Sequence, residues 1–117
     1  MRRIVLTTAA ACLMAGAGYA HALLDRASPA VGSEVSAPPS MLTLTYTEPV
    51  EPLFCTVHVT DDHGTEVEQG KPSVKDNGRT LVVALKKLPP GVYHVEWHVT
   101  SVDTHKTDGH FIFTVKP

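Results

Sequence analysis

Tyr93-His94-Val95-Glu96-Trp97-His98-Val99-Thr100-Ser101-Val102-Asp103-Thr104-His105 sets how the rest of the chain is read. Apolar Tyr93, Val95, Trp97 and Val99 alternate with His94, Glu96, His98 and Thr100, so an extended chain turns the first set to one face and the second to the other. A half-buried strand is expected. The same period recurs in Leu42-Thr43-Leu44-Thr45-Tyr46, in Cys55-Thr56-Val57-His58-Val59, and at Phe111, Phe113 and Val115. Leu81-Val82-Val83-Ala84-Leu85 is apolar throughout and reads as a strand buried on both sides. Turn formers separate these runs: Pro29 to Gly32, Pro38-Pro39, Asp61 to Gly64, Asp76-Asn77-Gly78 and Pro89-Pro90-Gly91. Helical spacing of apolar residues is missing everywhere. Short strands punctuated in this way predict an all-β fold, a Greek-key β-sandwich of about seven strands.

Working outward to the start, Arg2 and Arg3 precede an apolar stretch from Ile4 to Ala17, and Gly18 and Ala20 flank Tyr19. This is the pattern of an export signal over residues 1–20, leaving 21–117 as one working domain. The apolar stretch is short and rich in Ala and Gly, unlike a spanning helix of ~20 predominantly apolar residues. Losing Arg2 and Arg3 reduces ten basic residues to eight against twelve acidic ones, a formal charge of −4 that argues against nucleic acid as a partner. Cys12 lies in the signal, so Cys55 is left without a cysteine to pair with, and packing must supply the stability. Cys55 shares parity with Val57 and Val59 and is expected to be a buried small side chain.

Seven histidines prompt a search for metal ligands. His21 stands out, because cleavage before it frees an α-amine beside an imidazole, and the two can close a chelate ring on one ion. Asp103 and His105 add a carboxylate and an imidazole two residues apart, which an extended chain directs to one side. Three nitrogens and an oxygen suit tetragonal Cu(II), and zinc accepts the same atoms in a tetrahedron. An ordinary polar loop after a strand is the alternative for Asp103 and His105. His94 and His98 share the polar face but stand ~13 Å apart in an extended chain, too far for one ion. His58, His63 and His110 have no adjacent partner in sequence, and Trp97 reads as core.

His21-Ala22 at a cleavage point, Ser28-Pro29-Ala30, Thr45-Tyr46-Thr47-Glu48-Pro49-Val50, the stretch from Tyr93 to His105, and Gly109-His110-Phe111-Ile112-Phe113 together resemble the CopC family of copper resistance proteins. The resemblance spans essentially all of residues 21–117. It implies an immunoglobulin-like β-sandwich and a periplasmic Cu(II) binder with ligands at His21, Asp103 and His105. It also implies exchange of the ion with an inner-membrane partner of the CopD type. Glu48 falls where the family has an acidic residue near copper, and is expected to orient His21 or its amine. In one respect the sequence departs from the family pattern. Better-known members carry a methionine-rich loop for Cu(I), whereas residues 21–117 hold only Met41, so one Cu(II) site without a Cu(I) site is expected.

Two other readings remain open from sequence. An N-terminal histidine with a second histidine is also the copper brace of lytic polysaccharide monooxygenases, although Asp103 then occupies a position that oxygen chemistry needs open. The other is an interaction sandwich that binds no metal. The Cu(II) reading depends on processing, because a cut after Ala22 instead of Ala20 removes His21. A free amine with pKa ~8 releases its proton to a metal far more readily than an amide does. Intact-mass measurement of the exported protein is expected to show a chain beginning at His21, and one Gly added ahead of His21 is expected to weaken Cu(II) binding severely in titration.

Overall fold

The computed structural model describes residues 22–117. Eight strands form two sheets: β1 (Leu24–Ser28), β2 (Glu34–Val35), β3 (Met41–Tyr46), β4 (Thr56–Thr60), β5 (Glu68–Lys75), β6 (Thr80–Leu85), β7 (Gly91–Thr100) and β8 (Lys106–Val115). One sheet has the order β1-β3-β6-β5 and the other β2-β8-β7-β4. The β5–β6 and β7–β8 hairpins stay within a sheet, and every other connection crosses between sheets, so the fold is the expected immunoglobulin-like β-sandwich. All pairings are antiparallel except the short β2 with β8. Among the described residues no helix is long and apolar enough to cross a membrane.

One of the two inner strands of the second sheet is β7, and the alternation in its sequence decides its register. Tyr93, Val95, Trp97 and Val99 are buried while His94, Glu96 and His98 are exposed. Their inward faces meet Leu42, Leu44 and Tyr46 of β3 together with Leu81, Val83 and Leu85 of β6, across a core completed by Val59, Phe111 and Phe113. Each such side chain contributes roughly 1.5–3 kcal/mol on removal from water. Tyr93 stacks on Phe113 at 5.5 Å and Tyr46 meets Trp97 edge to face at 5.2 Å, the two arrangements that aromatic quadrupoles favour.

Two local expectations are corrected, and one edge strand has no counterpart in the sequence reading. Burial in β6 alternates from Leu81 onward, with Ala84 exposed and Val82 half-buried, because this sandwich has two layers and among the described residues no third layer packs over the outer face of β6. Thr100, read as a polar-face residue, is buried, because the 3-10 turn Pro52–Phe54 folds over it and accepts its hydroxyl hydrogen bond at the Phe54 carbonyl, 3.3 Å away. β5 was not expected at all. It is an edge strand with a register shift between Gln69 and Ser73, where Gly70 has φ +76° and Pro72 lacks an amide proton.

Gly109 faces Trp97 across the β7–β8 pair, where an added Cβ stands 2.6 Å from Cζ2 of the indole. That ring is wedged in the core and cannot swing aside. Gly109→Ala is therefore expected to lower stability by about 1–3 kcal/mol, read as an earlier midpoint in denaturant followed by Trp97 fluorescence.

Candidate metal centre

Where β7 ends, the alternation breaks and Ser101 is buried directly after Thr100. Ser101 organises the turn that follows. Its amide donates to the His105 carbonyl at 2.9 Å, its carbonyl accepts from the Thr104 amide at 2.8 Å, and its hydroxyl oxygen accepts from the His105 amide at 3.2 Å. That hydroxyl donates in turn to Oδ1 of Asp103. Thr104 takes a left-handed φ of +77°, so the segment is a tight turn and not the extended chain from which Asp103 and His105 were first paired. The two side chains still converge, with His105 Nδ1 3.3 Å from Asp103 Oδ1, and both are half-exposed at the end of the sandwich.

The Ser101 hydroxyl holds the Asp103 carboxyl below the usual aspartate range; burial opposes this, and the hydrogen bond and charge of His105 reinforce it. A carboxylate kept ionised beside an imidazole is a hard oxygen and a nitrogen donor presented together.

Two segments frame this pair. Val50 bridges to Ser101, and the Val102 amide donates to the Pro49 carbonyl at 3.1 Å, which brings the half-buried Glu48 to the same end. From the other side, the Ala22 carbonyl accepts from the Thr107 hydroxyl at 2.6 Å. Leu23 exchanges hydrogen bonds with Thr47, its amide donating to Oγ1 at 3.0 Å and its carbonyl accepting from the Thr47 amide at 2.9 Å. The beginning of the described chain is thus tied between Thr107, two residues past His105, and Thr47, beside Glu48. His21 itself, like the signal expected over 1–20, lies outside the described residues.

The remaining candidates fall elsewhere. His94 and His98 occupy the outer face of β7, within reach of Asp62 and Glu96 respectively, and His110 lies opposite Glu96 on β8. Cys55 is buried, and burial raises its thiol pKa against the lowering effect of its hydrogen bond to the Thr100 carbonyl. Sequence reading missed one group. His58 Nδ1 stands 3.1 Å from Glu68 and 3.5 Å from Glu66, a convergence made by the chain crossing from β4 to the other sheet. Only the parity of Glu66 and Glu68 around the buried Val67 hinted at it.

Comparison with known proteins defines the class. The CopC domain family matches residues 24–116, and the chain belongs to that family. It is 37% identical over 96% of its length to Protein YobA of Escherichia coli strain K12, 90% of which is covered. Among solved structures it resembles CopC from Methylosinus trichosporium OB3b, with a TM-score of 0.77 and 32% identity over 83% of this chain and 95% of that one. It also resembles PcoC, described as a methionine-rich copper resistance protein from Escherichia coli, with a TM-score of 0.72 and 28% identity over 82% of this chain and 99% of that one.

Because its folded-state pKa is depressed, Asp103 contributes stability above the ordinary carboxyl range and loses it as pH falls through the lowered value. In the metal-free protein, NMR titration of the Asp103 side-chain carboxyl is expected to give a midpoint below the ordinary ~3.9. Ser101→Ala is expected to move that midpoint upward.

Proposed function

We propose that this chain is a periplasmic Cu(II)-binding protein of copper homeostasis, with copper as its cargo and His21, Asp103 and His105 as its ligands. The observation that carries the reading is the convergence of Asp103 and His105 at 3.3 Å, at the end of the sandwich where Thr107 and Thr47 tie down Ala22 and Leu23. Chain connectivity allows only one Cα step of ~3.8 Å between Ala22 and the residue before it. A terminal amine and imidazole there complete a set of three nitrogens and one oxygen, the donors a tetragonal Cu(II) ion takes. Glu48 precedes Pro49 and Val50, which bond to the Ser101 turn, and this supports a role in accepting a hydrogen bond from the amine or imidazole of His21.

The role is binding and not catalysis. Copper resistance proteins are among the solved relatives, and Asp103 at the ion fills a position that a copper-brace oxidase leaves for oxygen. The periplasm is supported by the export pattern of residues 1–20 together with the family. Exchange of the ion with a CopD-like inner-membrane protein fits an exposed site at one tip of the domain.

His105→Ala and Asp103→Ala are each expected to weaken Cu(II) by at least the ~10–100-fold that loss of an orienting partner costs a metal site. The fold should survive, because both side chains are half-exposed beyond the last core residue of β7. Competitive Cu(II) titration of the processed protein, with an electron paramagnetic resonance spectrum and circular dichroism of each variant, is the test. Unchanged affinity in both variants overturns the assignment.

A further inference from the structure

The β4 to β5 crossing builds a second donor group. Val67 donates its amide to the Val59 carbonyl at 2.8 Å and Thr60 bridges to Glu66, so the segment 66–68 first pairs with β4. At Glu68 the chain joins the other sheet, opposite Leu85 of β6. Burial of Val67 turns Glu66 and Glu68 together toward His58. The donor atoms of His58, Glu66 and Glu68 all lie within 4.8 Å of one another.

We infer that His58, Glu66 and Glu68 form a zinc-type divalent cation site separate from the copper site. Zinc ligands ~2.1 Å from the ion stand ~3.4 Å apart in a tetrahedron. The observed separations from His58 Nδ1 are 3.1 Å to Glu68 and 3.5 Å to Glu66, so an ion can enter without rearranging the backbone.

Charge points the same way, since one imidazolium offsets only one of two neighbouring carboxylates whereas a dication offsets both. Glu68 is also preset. Its side chain is only 10% exposed, and Oε1 accepts the Val59 amide at 2.8 Å, leaving Oε2 aimed at His58. An ordinary surface ion pair does not fix its carboxylate in this way.

The copper end cannot share this ion. His58 pairs with Glu96, and four residues of β7, ~13 Å of extended chain, separate Glu96 from Thr100, where the Ser101 turn begins. Beside His58 lies a hollow of about 280 Å³ lined also by His94, His98 and His110, which sets further imidazoles beside that histidine.

The test uses the processed protein carrying His21→Ala, Asp103→Ala and His105→Ala, which removes all three ligand side chains of the copper end from competition for Zn(II). Calorimetric titration with Zn(II) is expected to show one ion bound, with the His58 ring signals shifting first in NMR. Adding His58→Ala or Glu66→Gln is expected to weaken Zn(II) about tenfold or more. Glu68 is left intact because it also serves the Val59 amide, and circular dichroism checks each fold. No Zn(II) binding, binding unchanged by His58→Ala, or shifts confined to His94, His98 and His110 overturns the site. Failure of the copper assignment shows separately, as Cu(II) affinity that is indifferent to Asp103 and His105.

Discussion

The register of β7 is the constraint on which the rest of the structure depends. It pairs along its length with β8 and over five residues with β4, so its pleat sets the facing of three strands at once. A slip of one residue exchanges Tyr93, Val95, Trp97 and Val99 for His94, Glu96 and His98, placing ionisable groups in the core. Four lost apolar burials at ~1.5–3 kcal/mol each rival the whole stability of a domain this size, ~5–15 kcal/mol. The register is therefore fixed by packing, and the position of Ser101 follows from it. The candidate copper end begins at that residue.

Ser101 converts this packing into chemistry. It is buried, yet its amide, carbonyl and hydroxyl all have partners within the turn it opens. A buried serine with every group satisfied costs little and fixes much. It shapes the backbone so that Asp103 and His105 leave the turn side by side, and it keeps Asp103 ionised. The left-handed Thr104 is the strain that accompanies this geometry, and strain of this kind is held only where surrounding contacts determine it. Here those contacts are the Val50 bridge and the Pro49 carbonyl on Val102. The loop that carries Glu48 is thus also the loop that braces the turn.

Much of the sandwich was legible because a strand with one face in the core must alternate, and β3, β4, β7 and β8 do. β5 was not, since Glu-Gln-Gly-Lys-Pro-Ser-Val-Lys at an edge buries almost nothing and follows no period. Thr100 and Ala84 failed for the opposite reason. Their exposure is set by what lies over them, the Pro52–Phe54 turn in one case and, among the described residues, no further layer in the other. Asp103 and His105 were legible as a pair, but through a turn hinged on Ser101 and not through extended geometry. Convergence of His58 with Glu66 and Glu68 needs the strand to change sheets, which local spacing does not encode.

The same packing decides which oxidation state of copper the protein suits. Cu(I) prefers thioethers and thiolates. After residue 21 the chain has two sulfur atoms, those of Met41 and Cys55. Met41 is exposed at the start of β3, paired with Ala84 in the first sheet, whereas Cys55 is buried at the approach to β4 in the second. Burial raises the thiol pKa, and the Cys55 sulfur donates to the Glu51 carbonyl at 3.1 Å, so the thiolate that binds metal is disfavoured. The sulfurs are thus divided between sheets and one is masked. Nitrogen and oxygen donors are instead gathered at the surface, where imidazoles and carboxylates can remain hydrated until an ion arrives. A fold that keeps its two sulfur atoms apart, buries one of them and exposes its nitrogen and oxygen donors together favours Cu(II) over Cu(I).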